Sequence, residues 1–436
     1  MSCHANFVKE KLFSIIQWME DNKYQFLKNP NKDFTRTRKL SFSKLIELFL
    51  KFDGKSLNAE ILENFNYNHE YVSVSAFVQQ RNKINEKCFK YLFDKFIESF
   101  DFYKTYFGYR LYAVDGSDLL ASHNPEDSDT YFSSLPGNRG YNMLHINALY
   151  DLINKVYVNV EVQPSKKQNE RNALNNMIRT LSENDKSILL LDKGYESYGS
   201  IARLIEKNWN FLCKVKNSDS NGILHSLNLP IEGELDVKVK RILTRKNTKE
   251  IKARPDIYKY LPKNTPFEFL TEENPLYEVS FRVIRVYFEN GTSHCFVTNL
   301  DKNEFPLEKI SELYHLRWGI ETSFRDLKHK IGLTHLHSKK SEHITQEIIS
   351  KMIMFNFYSI ITLNVAVTQK TRKYDYKINF SAAVSICKHF FKLKIHQELP
   401  DIEKLIQRNI TPIRENRSTP RRIKQRTFVS FQYRVA

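Results

Sequence analysis

Residues 111–120 read LYAVDGSDLL and residues 187–197 read SILLLDKGYES, two apolar runs that each end in an aspartate with a glycine close behind. Both runs are short and sharply bounded, as buried strands are. In each, the acid closes the strand: Gly116 allows a sharp turn that leaves the Asp115 carboxylate at a sheet edge, and Lys193-Gly194 turns the chain from Asp192 into a helix. Ligand sites of open α/β sheets lie at such strand ends. One aspartate of this kind is usually an N-cap or turn residue. Two with the same grammar in one chain point to a site.

Outward from these segments, RLYAV, HINALYDL and VYVNVEVQ read as strands, 169–181 as a helix before SILLLD, and 195–207 as the helix after it, which predicts a mixed α/β sheet. Residues from about 210 to 300 form a second β-rich zone, with Asn290-Gly291 marking a hairpin. Residues 1–106 carry five amphipathic helical stretches. Among them SVSAFVQQRNKI, 73–84, reads either as the second helix of a helix-turn-helix offering Gln79, Gln80, Arg81 and Lys83 to DNA, or as a plain packed helix. Helices resume at Pro306, and the most apolar stretch, Met352 to Val367, is too short and too polar for a membrane span and is expected to be a core helix.

A third segment, 311–333, reads SELYHLRWGIETSFRDLKHKIGL. At about 100° per residue, Tyr314, Arg317, Glu321 and Lys328 fall within an arc of about 60°. By itself this is an ordinary solvated face with pairs such as Glu321 with Arg317 or Arg325. Taken with Asp115 and Asp192, Glu321 completes a set of hard carboxylate oxygens suited to Mg²⁺, and two such ions can drive an in-line displacement at phosphorus. Arg317 and Lys328 would hold phosphates, the former bidentately and the latter as a point charge.

The order Asp-Gly-Ser, Asp-Lys-Gly-Tyr, then Tyr-x2-Arg-x3-Glu-x6-Lys at Tyr314, Arg317, Glu321 and Lys328 resembles the DDE transposases of insertion sequences, in the subgroup named for that last motif. The resemblance implies an RNase H-like core with Asp115, Asp192 and Glu321 as a catalytic, metal-binding triad. It implies two Mg²⁺ ions, for which Mn²⁺ substitutes. Tyr314, Arg317 and Lys328 would contact the cleaved end, joined by Arg325, Lys193 and, in the tail, Arg421 and Arg422. The expected partners are double-stranded DNA, as terminal inverted repeats and target, and a second copy of the chain in a synaptic homodimer. Asp115 and Asp192 are 77 residues apart and Asp192 and Glu321 are 129 apart. A simple crossover needs far fewer residues than the second gap. The β-rich zone is therefore expected to interrupt the core, giving a helical DNA-binding region at 1–106, core at 107–209, insertion at 210–303, core with the Glu helix at 304–370, and a helical, basic region at 371–436. In that subgroup an aromatic on the insertion's last strand stacks on a displaced base; here the nearest place carries His294. A metal-dependent nuclease of the same fold and a catalytically silent DNA-binding derivative are the alternatives.

Composition agrees with a nucleic-acid partner. The 436 residues carry 67 Lys plus Arg against 50 Asp plus Glu, a net +17, and 41% are hydrophobic, far from a disordered composition. Five scattered cysteines with no Cys-x-x-Cys exclude a disulfide framework or structural zinc site and fit a reducing cytoplasm. The charge is localised: residues 107–195 carry 9 basic and 11 acidic residues, whereas 306–436 carry 24 and 11. If the tail contacts phosphate, deleting residues 408–436 will flatten the dependence of log affinity for DNA on log salt concentration. Fluorescence anisotropy at several NaCl concentrations measures that slope, and an unchanged slope excludes the tail.

Overall fold

Serine caps start the first helices after α1 (Cys3–Asp21): the side chains of Ser41, Ser56 and Ser73 accept backbone N–H bonds at the heads of α2 (Phe42–Lys51), α3 (Leu57–Asn64) and α4 (Val74–Arg81), and α5 (Lys87–Glu98) follows. The computed structural model describes residues 3–133, 139–184, 186–230, 232–287, 292–367, 374–393 and 400–414. The expected tail contacts Arg421 and Arg422, and the Asn290-Gly291 turn, lie outside the described residues.

The alternating stretches then form β1 (Arg110–Ala121), β2 (Tyr131–Phe132), β3 (Tyr141–Asp151) and β4 (Val156–Pro164), followed by α6 (Glu170–Thr180), β5 (Ser187–Leu191), α7 (Tyr198–Glu206) and β6 (Asn210–Val215). Next come β7 (Leu235–Thr244), α8 (Lys249–Ala253), β8 (Tyr258–Tyr260), β9 (Leu276–Tyr287) and β10 (Ser293–Thr298). The chain closes with α9 (Leu307–His315), α10 (Trp318–Asp326), α11 (Ser341–Leu363), β11 (Tyr376–Ile378), α12 (Phe380–Lys392), α13 (Ile402–Arg408) and β12 (Ile410–Pro412). One ten-stranded sheet runs β2-β3-β1-β5-β6-β10-β9-β7-β8, with β4 also on β3. Within it β4, β3 and β1 are antiparallel neighbours, and β5 and β6 run parallel to β1. This is the mixed α/β sheet that the sequence predicts, antiparallel strands continued by parallel ones. The strands of the β-rich zone continue the same sheet, since β10 pairs with β6 and β9 with β10.

Alternation along the strands sorts the core into two layers. Leu111, Ala113, Ile188, Leu190 and Leu212 face the layer that includes α10, α11 and the N-terminal helices. Tyr112, Val114, Leu189, Leu191 and Phe211 face the layer of α6 and α7. The expected core helix is α11, buried at every position from Met352 to Ile361. Its one buried amide there is satisfied: Asn356 Oδ1 accepts from Tyr157 N at 2.8 Å and Nδ2 donates to Tyr157 O at 2.9 Å.

Two sequence expectations need correction. Asp115 does not close its strand: β1 continues to Ala121 because β3 pairs with it from Tyr112 to Ala121, while the parallel partner β5 ends at Leu191. Arg81 and Gln80 are not available to DNA. Gln80 is buried, and Arg81, 1% exposed, donates to Glu347 Oε1 at 3.0 Å, Gln346 Oε1 at 3.3 Å and His343 O at 2.8 Å on α11. Glu347 Oε2 in turn accepts from His337 N at 2.9 Å and lies 3.1 Å from His337 Nδ1. Burial opposes the Glu347 charge, yet His337 and Arg81 hold its pKa down to about 2. Removing one partner leaves a dry, uncompensated charge. Glu347→Gln should therefore cost about 3–5 kcal/mol in urea unfolding, and the double change Arg81→Met with Glu347→Leu should recover part of that loss.

Candidate active site

Parallel register sets the carboxylates level. Arg110 to Ala113 of β1 pair with Ser187 to Leu190 of β5, and carrying that register on by two residues places Asp115 level with Asp192. Leu191 pairs with Cys213 of β6, so the next level joins Asp192 to Lys214, and Lys214 pairs with Phe296 of β10. Adjacent in-register side chains share a face. Asp115, Asp192, Lys214 and Phe296 thus make one row across four strands, at the end where β5 stops.

The segment 307–331 lies over this row. It is not the single regular helix the sequence predicts. α9 ends at His315, α10 starts at Trp318, and Leu327–Ile331 forms a π-turn closed by Gly332 at φ 88°. A π-turn inserts an extra residue and re-aims the side chains that follow. Three of the four motif residues reach the sheet directly, and Glu321 is tied to it through Arg317. Tyr314 donates its hydroxyl to Asp192 Oδ1 at 2.9 Å, with its ring 5.0 Å from that of Phe296. Arg317 donates Nη2 to Glu321 Oε1 at 2.9 Å, and its Nη1 lies 3.9 Å from Asp115 Oδ2. Lys328 Nζ donates to Ser117 Oγ at 2.8 Å and to Asp118 O at 2.6 Å on β1. Asp115, Asp192 and Glu321 are therefore gathered by one helical segment.

Asp115 is an acid held against its preference. Burial drives the Asp115 pKa up from 3.8 to about 6; Arg317 and the Gly116 N–H pull it down, and Glu321 and Asp192 push it up. Burial likewise raises the Tyr314 hydroxyl, with Asp192 adding to the shift, so it stays a donor. Among the described residues, no three acid, histidine or cysteine side chains stand as a ready-made cation cage. The three carboxylates are turned to Tyr314 and Arg317, and an all-carboxylate donor set suits a hard divalent ion.

The remaining expected contacts separate. Lys193 is exposed in the 3₁₀ turn directly after Asp192. Arg325 is exposed away from the row, lining a cleft of about 620 Å³ with Lys104, Lys155, Lys330 and Lys377. His294 is half-buried on β10, where burial and the charge of Lys214 lower its pKa. Sequence reasoning missed Lys214, whose pKa is lowered by burial while Asp192 counteracts. Its signal was present: FLCKVKN is the next parallel strand, and the Lys occupies the position level with Asp192.

Comparison with known proteins decides the family. The family model described as Transposase DDE domain matches residues 106–357, more than half of the chain. The chain belongs to the transposase DDE domain family. Among members with curated descriptions, this DDE-domain chain is 24% identical over 158 residues to the Escherichia coli (strain K12) transposase InsG for insertion sequence element IS4, covering 34% of the chain and 36% of that protein. It is 27% identical over 135 residues to the transposase for insertion sequence element IS231F of Bacillus thuringiensis subsp. israelensis, covering 31% of the chain and 28% of that protein. The alignments thus span about a third of each relative's length. Among solved structures, the piggyBac transposase synaptic complex with hairpin DNA is similar at a TM-score of 0.42 and 10% identity, over 88% of this chain and 77% of that one. That likeness bears on neither fold nor function here. Among the described residues, no helix of this DDE-domain chain is long and apolar enough to cross a membrane.

The raised Asp115 pKa has a thermodynamic consequence. The folded chain binds this proton more tightly than the unfolded chain, so the contribution is present below pH 3.8 and is lost as pH rises through about 6. The loss is at most about 3 kcal/mol, from 1.36 kcal/mol per unit. Asp115→Asn should melt higher than the wild type in EDTA at pH 7.5, with the difference shrinking toward pH 4; thermal melts across that range measure it.

Proposed function

We propose that the chain is the transposase of an insertion sequence. It binds the element's terminal inverted repeats, cuts the DNA at the element's ends, and joins those ends to target DNA as a homodimer that brings two ends together. The observation that carries the reading is the level placement of Asp115 within β1 and Asp192 just past the end of parallel β5, with Tyr314, Arg317 and Glu321 from one helical segment closing over them. The membership of residues 106–357 in the transposase DDE domain family supports it.

In this reading Asp115, Asp192 and Glu321 would hold the divalent ions, Mg²⁺ or Mn²⁺. Bound there, the ions would supply Lewis acidity toward the attacking and leaving oxygens of an in-line displacement at phosphorus, first with water and then with a 3′-hydroxyl as nucleophile. The chain's own groups do the rest. Arg317 bridges Asp115 and Glu321 and presents a planar fork that can turn to a phosphate. Tyr314 orients Asp192, and Lys328, tethered to Ser117 and to the backbone of Asp118, puts a point charge beside the first carboxylate. Lys193, Arg325, Arg421 and Arg422 would follow the DNA backbone farther out, with 1–106 as the DNA-binding region.

Nicking of a supercoiled plasmid that carries the element's ends, in Mg²⁺, tests the triad. Asp115→Ala and Glu321→Ala should both lose detectable cleavage while still retarding end DNA in a gel, and full activity in either would sink the assignment. A strand-transfer product joined to target DNA separates a transposase from a metal-dependent nuclease of the same fold, which would cut without joining.

A further inference from the structure

Gly116 follows Asp115, and a Cβ placed on it would lie 2.4 Å from His145 Nε2 and 2.6 Å from Glu170 Oε1. No real Cβ tolerates such contacts, so the glycine keeps open a space that these two side chains fill. Gly194, two residues beyond Asp192, has Glu170 Oε2 at 3.4 Å from the same constructed position. One carboxylate therefore lies between the glycines that come just after the two aspartates. It comes from the first turn of α6, on the opposite face of the sheet from the α10 layer, and it fits there because β5 stops at Leu191 while β1 runs on. The start of α6 is pinned at the same place, since Arg171 Nε donates to Gly194 O at 3.1 Å.

His145 on β3 lies against this carboxylate. Its Nδ1 is 2.8 Å from Asp118 Oδ1 and its Nε2 is 3.2 Å from Glu170 Oε1, with the ring buried and the Glu170 side chain 37% exposed. The hydroxyl of Tyr195, a residue 2% exposed, has no hydrogen-bond partner among the described residues, and after burial Glu170, Asp115 and Asp192 are the groups that raise its pKa. A dry, unsatisfied donor thus sits in the field of all three acids.

We propose that Glu170 is a fourth carboxylate of the active site, reaching the gap that opens beside Asp115 where β5 stops before Asp192, from the α6 face, and that His145 is the residue that positions it. This rests on the reading of Asp115, Asp192 and Glu321 as the metal-binding set. His145 stands between Asp118 and Glu170, so one buried ring fixes the place of both carboxylates. Glu170 gives the gap a further hard oxygen donor and negative charge.

The test uses the full-length, metal-free protein and free Mn²⁺ followed by electron paramagnetic resonance, with thermal melts in EDTA. Glu170→Gln keeps the size and shape of the side chain beside His145, so it should melt as the wild type does while binding Mn²⁺ about tenfold more weakly. His145→Ala should weaken Mn²⁺ binding by a similar factor, and the double variant should be no weaker than Glu170→Gln, because His145 acts through Glu170. Wild-type Mn²⁺ affinity in Glu170→Gln overturns the proposal whatever its nicking rate, and additive losses overturn the positioning role of His145. Asp115→Asn is the control: wild-type Mn²⁺ binding and nicking in that variant would bring down the underlying triad and Glu170 with it, whereas weakened binding in Asp115→Asn alone would reject only Glu170.

Discussion

Like charges brought to one level of a sheet repel, and the geometry of this chain answers that repulsion with a single guanidinium. Arg317 spans Asp115 and Glu321, one residue from a strand and one from a helix, while Tyr314 one turn earlier takes Asp192. The helical segment is thereby docked on the sheet through the acids themselves. Removing the acids would remove the repulsion and part of the docking together, so stability and a charge-dense site are in opposition here, as the upward shift of Asp115 records.

The sheet supplies the alignment that this opposition requires. Parallel strands β1, β5 and β6 stay in step, so residues two positions beyond the last paired residues remain level. Apolar layers on both faces keep the strands rigid, and the hydrogen-bonded amide of Asn356 ties the fully buried α11 to β4. The breaks around Arg317 and the π-turn after Asp326 are where the overlying segment departs from regular helix, and they bracket the residues that meet the carboxylates. Departures from local regularity concentrated at a site are the expected pattern.

Much of this was legible from the residues. Period-2 and period-3.6 patterns located the strands and helices, and the repeated apolar-run-then-Asp grammar with the Tyr-Arg-Glu-Lys spacing singled out the groups that the fold assembles. What failed was information about partners distant in sequence. The reading of Asp115 as a strand end overlooked that antiparallel β3 carries β1 on to Ala121 even though parallel β5 stops. Arg81 looked like a surface cation because its acid, Glu347, is 266 residues away. Gly116 looked like a turn glycine, whereas its missing side chain makes room for His145 and Glu170, a reason that no local rule can supply.

The buried pairing of Arg81 with Glu347 also bears on the order in which the chain can be made. The N-terminal helices present their phenylalanines to α11, and the loop from Leu333 to Lys340 is pinned through His337 to the same glutamate. During synthesis the first hundred residues leave the ribosome more than two hundred residues before the helix that covers them. Until then their apolar face has no native cover, and the segment that carries Glu321 over the row lacks the helix it packs on. Most of the chain's basic surplus lies in residues 306–436 and is made last, so the uncovered helices wait without it.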